Sequence, residues 1–119
     1  RPYCHVIDFS RLIYKVLESD NTKVSFEIFN AGGDQNNFTK KGIVDLILEK
    51  IPNAKIKFQE HGNDPRNYRV NFSKVKNILG FDVKYSVQNG IEELLSAWAN
   101  NVFNNKNSEQ GNYTIFYDQ

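Results

Sequence analysis

Apolar residues along this chain recur at two different spacings, and the two alternate. Phe9, Leu12, Ile13, Val16 and Leu17 return at intervals of three and four, the period of a helix with one buried stripe, and Asp8 stands where an N-cap is wanted. Asp20 and Asn21 mark its exit. Val24, Phe26 and Ile28 then alternate with Ser25 and Glu27, which predicts a half-buried strand ended by Asn30-Ala31-Gly32-Gly33-Asp34. Ahead of the first helix, Arg1 to Val6 is an aromatic and β-branched run that reads as a strand or extended lead-in. Thr39 opens a second helix with Ile43, Leu46, Ile47 and Ile51 on one face, and Pro52 and Asn53 stop it.

The second half repeats the alternation. Ile56 and Phe58 predict a strand over Lys55 to Gln59, and the polar run from Glu60 to Asn67, with Gly62 and Pro65, predicts a loop. Tyr68 to Phe72 reads as a brief strand or extended segment. Ser73 caps a short helix through Leu79, closed by Gly80 where a left-handed residue is wanted. Ser86 caps the last helix, striped by Val87, Ile91, Leu94, Leu95 and Trp98. Beyond Ala99 an Asn-rich stretch carries no helical period, and Tyr113 to Tyr117 reads equally as an edge strand or as disorder. The expectation is a small mixed α/β lobe over residues 1–99, with a few short strands and about four helices, followed by a tail over 100–119. Such a sheet is too small to make a doubly wound domain.

Composition narrows the function classes. The 119 residues suit one domain with a real core. Fifteen basic against fourteen acidic side chains leave a net charge of +1, so charge argues for neither nucleic acid nor an anionic membrane. Cys4 has no disulfide partner, and Cys4, His5 and His61 are too few for a Cys/His zinc site. No apolar run approaches the ~20 residues of a bilayer crossing, and no signal-peptide pattern opens the chain. A soluble, cytoplasmic domain is expected. The chain opens on Arg1, inside a predicted element, so a piece of a longer protein is expected as well.

The motifs of a catalytic centre are missing. Gly32-Gly33 is the one glycine cluster and lacks the third glycine of a dinucleotide fingerprint. There is no Tyr-x-x-x-Lys pair, since Tyr14 is followed four residues on by Glu18 and Tyr68 by Phe72. No serine sits in a nucleophile elbow. His5 and Asp8 have the spacing of a ligand or acid–base pair, although a histidine beside a helix start is more often a structural hydrogen-bonder. What remains is anion chemistry. Asp64, Arg66, Tyr68 and Arg69 cluster in and just after the polar loop, where an arginine fork can grip a phosphate and a carboxylate suits sugar hydroxyls. The alternative there is an Asp64–Arg66 surface pair in water.

Taken in order, three segments resemble a known family. Arg1-Pro2-Tyr3-Cys4-His5-Val6-Ile7-Asp8 resembles the R-x-Y-x-H-V-x-D segment of the extended short-chain dehydrogenases/reductases, the NAD-dependent nucleotide-sugar epimerases and dehydratases. Phe29-Asn30-Ala31-Gly32-Gly33 is similar to their F-N-x-G-G segment, and Asp64 to Lys74 to their D-x-R-x-Y-x-x-D-x-S-K segment. The resemblance runs over residues 1 to about 98. It implies a C-terminal, nucleotide-sugar-binding lobe, inactive by itself. Its missing N-terminal Rossmann domain would carry NAD or NADP and the Tyr-x-x-x-Lys pair. It implies further that Arg1 and the loop's basic residues contact the diphosphate, that Asp64 binds the ribose hydroxyls, and that Tyr68 faces the sugar.

Two positions depart from the family pattern. His61 stands where many relatives have an arginine, which implies a diphosphate contact either moved to Arg66 or weakened. Asn71 replaces the usual aspartate, a change that touches a local cap more than binding. The alternative function is a non-catalytic interaction domain that keeps this fold. With the partner lobe gone, apolar surface would face solvent and self-association is expected.

Overall fold

The computed structural model describes residues 1–57 and 68–102. Helices account for its regular structure: α1 (Val6–Glu18), α2 (Asn21–Val24), α3 (Lys40–Lys50), α4 (Ser73–Leu79) and α5 (Val87–Ala99), with one 3-10 turn at Asp34–Asn36. The four helices expected from the periodicity are α1, α3, α4 and α5. The expected α/β lobe is not what forms. Among the described residues there is no sheet, and the one β feature is an isolated antiparallel bridge between Pro2 and Asn37.

The strand expected at Val24–Ile28 is missing for a local reason. At Val24–Ile28 the Asp20 carboxylate accepts the Thr22 amide at 2.8 Å and the Thr22 hydroxyl at 2.7 Å, which nucleates the short turn of α2. Phe26 then takes a left-handed backbone (φ +57°), and Phe26 and Ile28 both face solvent. Residues 54–57 form no strand, Ala54 donating instead to the Ile51 carbonyl at 3.0 Å, and the rest of that predicted strand lies outside the described residues. Alternation specifies a strand only where another strand is there to pair with it.

Two caps also differ from expectation. His5, not Asp8, caps α1, its Nδ1 accepting the Ile7 amide at 3.3 Å. The helix therefore starts earlier and places Asp8 in its first turn, fully buried. Ser73 is the first residue of α4 rather than its cap, and the Asn71 side chain accepts the Ser73 amide at 2.8 Å. The others form as read. Thr39 accepts from Gly42, Ser86 and Asn89 make a reciprocal capping box, and Gly80 closes α4 at φ +58°.

The core is Leu12 of α1, Phe72, Val75 and Leu79 around α4, and Phe81, with Val16, Val24, Phe29, Ala31, Val70 and Val83 packed against it. The glycine pair permits this packing. A Cβ at Gly32 (φ +149°) would meet the Phe72 ring at 2.7 Å, and one at Gly33 would meet Val83 at 2.5 Å. The remaining apolar stripe of α1 is uncovered: Phe9 and Ile13 are each 48% exposed and Leu17 is 78% exposed. Helix α3 lies beside α5, where Lys50 meets Glu92 at 2.6 Å.

Candidate functional site

Residues 36–38 are the hub on which the candidate segments converge. Phe38 donates its amide to the Arg1 carbonyl at 2.9 Å, the Arg1 nitrogen donates to the Phe38 carbonyl at 2.6 Å, and Tyr3 donates to the Asn36 carbonyl at 2.9 Å. These bonds hold the Arg1 arm along one flank. On the other flank the Asn37 side chain donates to the Val70 carbonyl at 3.0 Å and accepts the Val70 amide at 3.1 Å. Asn36, the last residue of the 3-10 turn, sends its side chain elsewhere. It is buried, donating to the Tyr85 carbonyl at 2.9 Å and accepting the Val87 amide at 3.2 Å.

Asp8 fixes the same 84–87 segment from α1. Its carboxylate accepts the Lys84 amide at 3.0 Å and the Tyr85 amide at 2.8 Å, and it pairs with the Arg11 guanidinium on its own helix. His5 stacks on Tyr85 with ring centroids 4.5 Å apart, and its Nε2 meets the Glu93 carboxylate at 2.6 Å. Because Ile7 donates to Nδ1, this bonding assigns the ring proton to Nε2. His5 and Asp8 therefore hold the fold together. Neither is arranged as a ligand or acid–base pair.

Of the anion-site residues named from sequence, Arg1, Tyr68 and Arg69 are described. Their chain segments flank the same hub, and Tyr68 is exposed beyond the Val70 clamp. Asp64, Arg66 and His61 lie outside the described residues. Asn36 and Asn37, which build the hub, were not singled out by sequence. They follow Gly32-Gly33 in a polar run that reads only as a turn, and nothing local shows that their amides reach residues 70 and 85.

The concavities here are modest. A polar pocket of about 180 Å³ is lined by Gly32, Gly33, Ser73, Lys76, Asn77 and Asp82. An apolar one of about 300 Å³ lies between α3 and α5, against Cys4 and His5. Burial, and then the charge of Asp8, push the Cys4 thiol above its ordinary pKa, which leaves it less nucleophilic than an open thiol. The glycine pair is filled by Phe72 and Val83, so it offers no cradle for a dinucleotide. Among the described residues no group of three His, Cys, Asp or Glu is placed to hold a metal, and no helix is long and apolar enough to cross a membrane.

No family model matches the chain, and no solved structure matches it. Among curated proteins it is 30% identical over 93 residues to UDP-glucuronic acid decarboxylase 6 of Arabidopsis thaliana. That similarity takes in 76% of this chain and 26% of the relative, so the chain spans about a quarter of the relative's length. The match ties the chain loosely to the extended short-chain dehydrogenases/reductases, as a region related to a sugar-nucleotide enzyme.

Proposed function

We propose that this chain is the nucleotide-sugar-binding part of an NAD(P)-dependent sugar-nucleotide enzyme of the epimerase/dehydratase type, inactive by itself. In this reading Arg1 and Arg66 grip the diphosphate, Asp64 binds the ribose hydroxyls, and Tyr68 borders the sugar. A Rossmann domain outside this chain holds NAD or NADP and performs the hydride chemistry. This chain's own residues bind and orient, which raises a rate by holding the reacting carbon in place.

The observation that carries the reading is the hub at residues 36–38. Two segments that the family resemblance singles out, far apart in sequence, lie on its two flanks: the Arg1 arm and the chain that emerges at Tyr68. The name of the curated relative adds the substrate class, a UDP sugar. The uncovered stripe Phe9, Ile13 and Leu17, beside Phe29 and Ala31, is an apolar face of the kind a second domain covers.

A shielded arginine–phosphate contact is worth roughly 1.5–3 kcal/mol. Calorimetric titration of the full-length protein with UDP-glucuronic acid tests the reading. Binding is expected, and Arg66→Ala is expected to weaken it at least tenfold. An unchanged Kd in that variant removes Arg66 from the site, and no binding by the wild type overturns the function.

A further inference from the structure

We infer that Phe26 and the groove along α1 are the two halves of one self-complementary contact, through which a second copy of this chain docks about a two-fold axis. This docking is independent of the function proposed above; a second domain seated on α1 would compete with the copy for the same face. Phe26 is the knob. The Val24 carbonyl accepts the Glu27 amide at 3.1 Å across a turn whose inner residues are Ser25 (φ −64°, ψ 127°) and Phe26 (φ +57°). That is a type II turn, whose third position favours glycine or asparagine. Here it holds a bulky aromatic against the backbone's preference, and the ring is fully exposed. The turn is fixed on both sides: Asp20 caps α2 ahead of it, and Glu27 pairs with Lys74 of α4 at 2.6 Å. An aromatic ring held in water by an anchored, strained turn marks a contact point.

The groove is the matching hole. It holds about 260 Å³ between Phe9, Ile13 and Leu17 on α1 and Phe29 and Ala31 on the returning chain, and every residue lining it is apolar. An apolar cavity of about 150 Å³ takes a benzene ring, so this one has room for a phenylalanine side chain. Phe26 does not fill the groove of its own chain, since its ring stands in solvent. Knob and hole lie on one molecule, so two copies related by a two-fold axis make the contact twice, each Phe26 in the other's groove. A net charge of +1 and an uncharged lining oppose that approach little. A buried phenylalanine removes about 150–250 Å² from water, and with the lining they cover, two such contacts remove about 600–1,000 Å². That is the size of a weak, reversible interface.

The test uses the 119-residue chain, with association read by sedimentation equilibrium and folding by urea midpoint. Dimer is expected to be populated at about 100 μM chain and to dissociate on dilution to about 1 μM. Phe26→Gly is expected to associate at least tenfold more weakly. Its urea midpoint should match or exceed that of the wild type, because glycine suits φ +57° better. Phe26→Asn, which also tolerates that φ, is read the same way should Phe26→Gly not fold. Benzoylphenylalanine at position 26, in a mixture of isotope-labelled and unlabelled chains, should cross-link between copies to peptides that carry Phe9, Ile13 or Leu17.

A wild type that stays monomeric at the higher concentration overturns the inference. So does a dimer that Phe26→Gly and Phe26→Asn leave unweakened, or a set of cross-links that avoids the α1 peptides. Species that grow past the dimer with concentration overturn the two-fold closure, since a knob and hole that do not close make open chains. Each of these results leaves the function proposed above standing.

Discussion

The carboxylate of Asp8 and the amide of Tyr85, 77 residues apart in sequence, meet at 2.8 Å inside the molecule. Around that bond the same carboxylate takes the Lys84 amide and the Arg11 guanidinium, and Asp8 is fully buried. Truncation to Asp8→Ala would leave two backbone donors and a guanidinium without their acceptor. Breaking a buried pair from one side costs about 3–5 kcal/mol. Urea denaturation should show a loss in that range, and a loss under about 1 kcal/mol would mean that water or a neighbour replaces the carboxylate.

Glycines 32 and 80 both have positive φ but differ in surroundings. A Cβ at Gly80 meets nothing within 4 Å, so Gly80→Ala carries only the left-handed backbone penalty of about 1 kcal/mol. Gly32→Ala carries a larger backbone penalty, because φ +149° lies outside the left-handed helical region, and also drives its Cβ against the Phe72 ring, which adds about 1–3 kcal/mol. Thermal unfolding of the two variants should rank them in that order. Equal losses would mean that Phe72 moves aside freely.

Much of the helical architecture was legible because its signals are local. The stripes of α1, α3 and α5 lie within their own segments, and Thr39, Ser86 and Gly80 act within one turn of where they stand. The strands misled for the opposite reason. Val24, Phe26 and Ile28 alternate, yet pairing depends on a neighbour that the segment does not name, and the Asp20 cap turned the chain into α2 first. The candidate site shows the same limit. Arg1 and Tyr68 are named from motif residues alone, whereas the Asn37–Val70 clamp joining their segments is a contact across 33 residues with no local mark.

Cys4 gives a pH signature with a definite sign. Its thiol is raised by burial and by the Asp8 charge, so the folded state favours the protonated form. Folding stability should therefore be full below the unfolded thiol pKa of about 8.5 and fall as the pH rises from there toward the folded value. Iodoacetamide should alkylate folded Cys4 more slowly at pH 8 than it alkylates the urea-unfolded chain. Equal rates would place Cys4 in open solvent.

The two sides of α1 should respond oppositely to substitution. Leu12 is buried in the core, and Leu12→Ala is expected to lose about 2–5 kcal/mol. Leu17 is 78% exposed, and Leu17→Lys in the isolated chain should stay within about 0.5 kcal/mol of wild type. The same substitution should reduce hydrophobic-dye binding and any self-association seen by sedimentation. A strict monomer that binds no dye before substitution would show that the stripe is not a contact face.

Photolabelling of the full-length protein with 5-azido-UDP-glucuronic acid, followed by peptide mapping, tests the central claim most directly. The account predicts label on peptides that carry Arg66, Tyr68 or Arg69, suppressed by excess UDP. Label confined to sequence outside this chain, with none on those peptides, would contradict it.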